Sequence, residues 1–342
     1  MKQYPLPLGN IPVPTIQPET VSPMPTLSEF TERWLQEYAG PPYRARYIQK
    51  ARRQCLGIYL LPTIGHMRLA EITPAIVSQV QRDLLTRGLA HSTVKTTIGV
   101  FAEVWKGARR EGLVLGRPHA ELVWPKRARK KPTVFTSEER DRIIRACAEH
   151  RQEFLPLVAT SFLAGLRPSE AAGLRWGDVD LDTGRIEISR ALVHREVTNG
   201  KTEKSLRSIV MSPRLTKLLT ECRPVAAKQH TLMSRNAWDQ PIDSKNFSPY
   251  AFRTLLERVG IPYRSFYAAR HTYITLSLMA GANATELAEY CGTSIPEIER
   301  SYLSWIGAVE DPTRHARKRD VARAGRKLIT ASWDTEEHHE NA

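Results

Sequence analysis

The chain has 342 residues, with 50 Lys and Arg against 36 Asp and Glu, a formal net charge of +14. Its hydrophobic share of 41% and charged share of 25% are those of a globular protein long enough for two cores. The excess of positive charge points to an anionic partner, nucleic acid first, with a solvated basic face or an anionic membrane surface as the other readings.

No run approaches the roughly 18 apolar residues of a membrane span. The prolines that come after Met1-Lys2-Gln3-Tyr4 exclude a signal peptide. Cys55, Cys147, Cys222 and Cys291 lie far apart with no CxxC pair, which argues against zinc and fits a reducing cytoplasm.

Residues 1–26 carry prolines at 5, 7, 12, 14, 18, 23 and 25 and read as a flexible arm that buries no core. A helix opens at Thr26-Leu27-Ser28-Glu29 and runs through Trp34 to Tyr38, stopping at Gly40-Pro41-Pro42. A second helix is expected over 43–59, its outer face crowded with Arg44, Arg46, Lys50, Arg52 and Arg53, and is broken at 60–65. Thr73-Pro74 starts a third, since Pro at the first helical position loses no bond. Ser92-Thr93 heads a fourth, with Val94, Ile98, Phe101, Val104 and Trp105 spaced for burial. Residues 27–124 thus read as a small all-α domain with basic faces.

Residues 125–133 form a linker in which Lys126, Arg127, Arg129, Lys130 and Lys131 stand between two prolines. Such a stretch is either solvated tether or a segment that tracks a phosphate backbone. A second domain, 134–310, opens at the capping box Thr136-Ser137-Glu138-Glu139. Helices are expected over 137–149 and 152–164, and Arg167-Pro168-Ser169-Glu170 turns into another. Between Arg185 and Met211 the hydrophobic period changes to two, which reads as one small antiparallel sheet with a turn at Asn199-Gly200-Lys201-Thr202. From Pro213 the pattern is helical again. The helix holding Arg270 carries Ile274, Leu276, Leu278, Met279 and Ala280, too apolar for a surface element, so Arg270 must be paired or face an anion. Residues 311–342 form a basic tail that packs on its own protomer or on a neighbour.

Four frames in this second domain resemble those of the tyrosine recombinase, or phage integrase, family. They are Ala164-Gly165-Leu166-Arg167-Pro168-Ser169-Glu170; Lys201-Thr202 with Ser205 and Arg207; Arg270-His271-Thr272; and Tyr302, nine residues beyond Thr293. The resemblance covers most of residues 27–305 and implies a mainly α fold with a small antiparallel β-sheet in the catalytic domain. It further implies a two-domain C-clamp, with an all-α core-binding domain ahead of a mixed α/β catalytic domain. Two positions depart from the family pattern: Tyr267 stands where most members have histidine, and Thr293 where most have His or Trp. Both keep a hydroxyl.

The chemistry that these residues permit is breakage of a phosphodiester without metal or nucleotide. The sequence holds no P-loop, no carboxylate cluster for Mg²⁺ and no zinc spacing. Guanidinium is always charged and offers a planar fork to two oxygens, so Arg167 and Arg270 suit the charge that develops on phosphorus. The resemblance implies Tyr302 as nucleophile, giving a 3′-phosphotyrosyl bond that is resealed without ATP, and Lys201 as general acid, with Lys204 on the same turn as the fallback. Tyr267, Thr293 and His271 are candidates for the remaining proton transfers, with a backbone bond in the core as the other reading of His271. Tyr273 and Tyr290 read as core, Glu170 as a partner for basic groups, and Trp176 and Asp178 as packing and turn residues. The resemblance thus implies a site-specific recombinase of a prophage or other mobile element. It would act on duplex DNA as a homotetramer through a Holliday junction, without cofactor, with accessory DNA-bending or directionality proteins as possible partners. The rivals are a non-catalytic DNA-binding regulator on the same fold and a nicking-closing enzyme without site specificity.

Overall fold

The structure, a computed structural model, describes residues 24–125, 133–193, 196–199, 206–236 and 238–299. The chain divides into two compact units, Met1–Arg127 and Ala128–Ala342, and the break falls inside the basic stretch.

Unit 1 is helical. Helix α1 (Leu27–Glu37) begins with a capping box, Thr26 accepting from the Glu29 backbone and Glu29 from that of Thr26. Helix α2 is Arg46–Tyr59, and the expected break after it contains a short helix, α3 (Leu61–Ile64). Helices α4 (Pro74–Thr86) and α5 (His91–Arg110) complete the bundle. Helix α2 starts three residues later than its sequence pattern, because the chain first makes a separate turn, closed by the Arg44 N–H on the Gly40 carbonyl at 2.9 Å, and then passes through Ala45 in extended backbone as the N-cap. Leu27, Phe30, Trp34, Leu56, Val77, Val80, Phe101 and Trp105 form its core. On the rim Arg52 pairs with Glu103 at 2.5 Å.

Unit 2 is built around α7 (Leu155–Leu163), every residue of which is buried. Helix α6 (Ser137–His150), capped by Thr136 and Glu139, packs on one side of it. Helix α8 (Pro168–Gly173), α9 (Pro213–Cys222) and α12 (Tyr267–Met279) also pack against α7. Between α8 and α9 the described residues hold five short strands: β1 (Val179–Asp180), β2 (Arg185–Ile188), β3 (Arg190–Val193), β4 (Glu196–Asn199) and β5 (Arg207–Val210). The single sheet expected from the pattern is in fact two, an antiparallel β1-β2-β5 sheet and a separate β3-β4 hairpin. Alternation predicts which residues face inward but not which strand pairs with which, and Ser189 separates β2 from β3. The chain is not helical throughout after α9 either; residues 223–236 and 238–243 are irregular before α10 (Ser244–Phe247), a π-type turn over Ser248–Phe252 and α11 (Arg253–Arg258).

Helix α12 delivers Arg270, and α13 (Ala284–Cys291) and α14 (Ile295–Ile298) come next. The last turn of α12 differs from expectation: Met279 is 56% exposed and Ala280 lies at the surface, so the apolar run outlasts the buried part of the helix. The last fully buried residue of α12 is Thr275.

Candidate active site

The site begins with a turn. After α7 the chain reverses at Gly165, whose φ of +65° belongs to the left-handed basin that glycine enters without a Cβ clash. The room is missing too, since a Cβ there would stand 2.4 Å from Cδ1 of the buried Tyr273. Arg167 comes next in extended backbone, as a residue before proline prefers, and Pro168 opens α8. Glu170, one turn on, accepts from the Arg167 backbone N–H at 3.0 Å and from its Nη1 at 2.6 Å.

Arg270 lies beneath this turn, 3% exposed. Its Nη1 donates to the Gly165 carbonyl at 2.7 Å and its Nη2 to the Cys291 carbonyl at 2.8 Å. Arg167 Nη2 donates to the Gly292 carbonyl. A third guanidinium joins them: Arg207, at the start of β5, donates from Nε to the Tyr290 carbonyl at 2.8 Å and from Nη2 and Nη1 to Glu170 at 3.0 and 3.3 Å. Three arginines from three distant segments thus take the three consecutive carbonyls of 290, 291 and 292. Those carbonyls end α13, where the chain turns at Gly292 in the left-handed basin and no helical donor remains for them. The partial negative charge of a helix C-terminus suits this, and it is the segment that leads on toward 302.

The electrostatics are unbalanced. Arg167 and Arg207 both pair with Glu170, while the buried Arg270 beside them bonds only backbone carbonyls among the contacts described, so three guanidiniums share one carboxylate among the described residues of the cluster. Burial pushes the Glu170 carboxyl up, but the hydrogen bonds and charge of Arg207, then the charge of Arg167, more than reverse this and hold it below the usual carboxylate range. Burial, and then the neighbouring Arg270, push His271 down to about 4, so it is neutral at pH 7. Tyr267 is 43% exposed at the start of α12, its ring 5.0 Å from that of His271. Thr293 lies just past the α13 turn, its backbone N–H bonded to the Ala288 carbonyl at 2.8 Å.

Two competing tyrosines are disposed of by position. Tyr273 and Tyr290 stack at 5.8 Å, the Tyr290 hydroxyl donates to the Val210 carbonyl at 2.8 Å, and burial drives both phenols above their ordinary pKa. Cys291, raised to about 11 by burial, is inert as a thiolate at neutral pH. Trp176 is buried and Asp178 pairs with Arg190, so both are packing and turn residues. Among the described residues no group of three or more His, Cys, Asp and Glu is placed to hold a metal ion, and no helix is long and apolar enough to cross a membrane.

The structure therefore brings together Arg167, Arg270, Glu170 and the Gly292-Thr293 turn, with Tyr267 and His271 beside Arg270. Lys201, Lys204, Tyr302, the linker residues Lys126, Arg127, Arg129, Lys130 and Lys131, and the tail 311–342 lie outside the described residues. Arg207 is not among the site residues expected from sequence. Its signal is the strand alternation: Arg207, Ile209 and Met211 share the inward face, and a charge on such a face must have a partner.

The fold and the arginine cluster define a two-unit, mainly helical protein whose second unit gathers positive charge at one helix end. The phage integrase family model matches residues 133–304, half of the chain, and so the chain belongs to that family, the tyrosine recombinases. A "Tyrosine recombinase XerC-like" protein of Caldanaerobacter subterraneus subsp. tengcongensis is 24% identical over 302 residues, covering 79% of this chain and 76% of the relative. Among solved structures, the Tn1549 transposon integrase in complex with a circular intermediate DNA superposes with a TM-score of 0.70 at 14% identity, covering 87% of this chain and 99% of that one. A lambda integrase tetramer bound to a Holliday junction superposes with a TM-score of 0.63 at 14% identity, covering 80% and 76%. At such identities these two likenesses are of fold alone.

Proposed function

We propose that this chain is a site-specific integrase that cuts and rejoins duplex DNA for a mobile element or prophage. In this reading the Tyr302 hydroxyl attacks a backbone phosphorus, the bond to the 5′ oxygen breaks, and a 3′-phosphotyrosyl bond conserves its energy for resealing. Arg167 and Arg270 meet the charge on the non-bridging oxygens, Arg167 from its 32% exposed side chain and Arg270 from below. Lys201, or Lys204 on the same turn, protonates the leaving 5′ oxygen. Tyr267 and Thr293 offer hydroxyls in place of the family's commoner groups, whereas His271, its pKa pushed down to about 4, is a weak proton acceptor at neutral pH. Residues 27–124 would serve as the core-binding domain, 134–310 as the catalytic domain, and the basic 125–133 stretch as a tether along the phosphates.

The observation that carries this reading is the convergence of Arg167 and Arg270, more than a hundred residues apart in sequence, on the end of the helix that leads to Tyr302. The net charge of +14 supports a DNA partner. Assembly of four protomers on a junction is supported by likeness to the lambda integrase tetramer, and the mobile-element role by likeness to a transposon integrase.

The test uses duplex DNA from the flanks of the protein's own coding region, nicked so that cleavage releases a short strand and traps the intermediate. The expected result is an SDS-stable protein–DNA adduct that Tyr302→Phe abolishes while DNA binding persists. Binding without any adduct would leave a DNA-binding regulator in its place.

A further inference from the structure

If this chain is a strand-transfer enzyme, the carboxylate at the centre of its arginine cluster poses a problem for the reaction. Glu170 is 5% exposed and needed where it is, because its Oε2 caps the first turn of α8 through the Arg167 backbone N–H. A buried carboxylate whose sole cation were Arg167 would close a neutral pair with the group that has to meet a phosphate. The geometry divides the work differently. Arg207 spreads its fork over both Glu170 oxygens, at 3.0 and 3.3 Å, whereas Arg167 reaches Oε1 alone, at 2.6 Å. The Arg207 side chain is 8% exposed and that of Arg167 32%. The deep guanidinium faces the carboxylate, and the outer one keeps an edge toward solvent.

We propose, resting on the integrase reading, that Arg207 is a positioning residue that takes up the charge of Glu170, so that Arg167 retains its own for the scissile phosphate. Its third contact, Nε to the Tyr290 carbonyl, ties the same group to the end of α13. Arg207 need not touch DNA for this. Its effect passes through Glu170, and removing the carboxylate's charge should compensate for removing that of Arg207. A purely structural pair would also show compensation in stability, since removing both partners relieves the unpaired buried charge, so the deciding readout is the adduct rate of folded protein at unchanged affinity and melting temperature.

The experiment compares the full-length wild type, Arg207→Gln, Arg207→Gln/Glu170→Gln and Arg207→Lys on the same nicked flank DNA, with affinity, melting temperature and adduct rate measured for each. Glutamine at 170 keeps a capping-box residue at that helical position. Arg207→Gln should slow adduct formation by about a hundredfold, the scale of losing one transition-state donor, with affinity unchanged within about twofold. The double variant should recover at least about tenfold of this loss, the net charge of the cluster being restored. A double variant that folds and binds but cuts no faster than Arg207→Gln overturns the proposal. Should both glutamine variants fail to fold, Arg207→Lys decides: it keeps the charge without the fork, and a rate within about tenfold of wild type is expected, whereas loss of cutting in that folded protein refutes charge balance. If wild type itself forms no adduct, the strand-transfer reading fails separately. The charge balance is then decided by carbon NMR of labelled glutamate, where Arg207→Lys should leave the Glu170 titration depressed and an upward move to the ordinary range refutes it.

Discussion

Gly165→Ala tests whether the turn that places Arg270 is held by packing as well as by backbone. The left-handed conformation costs an L-residue about 1–2 kcal/mol, and the new Cβ would stand 2.4 Å from Tyr273 Cδ1 and 3.0 Å from its Cε1. Tyr273 has little room to yield, being 5% exposed and stacked on Tyr290, and overpacking of this kind costs about 1–3 kcal/mol. Against these, alanine lowers the entropy of the unfolded chain by about 0.4–1 kcal/mol. The net expectation is a loss of about 2–4 kcal/mol from unit 2. Gly184 is the internal control, since it has the same φ of +65° but its added Cβ would meet only Thr216 Oγ1 at 3.8 Å. Gly184→Ala should therefore show the backbone cost alone, about 1 kcal/mol. Urea unfolding, monitored by hydrogen exchange in peptides spanning 155–175 and 267–279, reads the transition of unit 2 separately from that of unit 1. Equal losses in the two variants would refute the packing argument. The larger loss in Gly165→Ala should come with faster exchange around Arg270, whose Nη1 depends on the Gly165 carbonyl.

Buried polar groups give two more tests. Thr272→Val removes the acceptor of the Phe135 N–H, a bond of 2.9 Å at a fully buried hydroxyl; leaving that donor unsatisfied should cost about 1–3 kcal/mol, read as a lower urea midpoint and faster exchange of the Phe135 amide, and an unchanged midpoint would count against it. His271, neutral in the folded state with its pKa pushed down to about 4, takes up its proton more readily when unfolded. Its contribution is thus present above the unfolded value of about 6.5 and lost as pH falls toward 4, up to about 3 kcal/mol in all. The difference in stability between wild type and His271→Gln should shrink over that window, and a flat difference would refute the burial argument.

Much of this protein is legible locally. The capping boxes at Thr26 and Thr136, the proline at the head of α4 and the 3.6-residue stripes on α1, α4 and α5 specify their elements through neighbours a turn away. Arg167 and Arg270 are legible by the same logic, because a charge within an apolar frame demands a partner. Local pattern does not record which partner. The three carbonyls at the end of α13, the Arg207–Glu170 pair across 37 residues, the division of five strands into two sheets and the exposed end of α12 at Met279 all depend on segments that meet only when the chain closes on itself. Propensity and periodicity act over a few residues, whereas burial and charge pairing act over distance in space. The residue types that demand such contacts are therefore visible in the sequence, but the contacts themselves are decided by the fold.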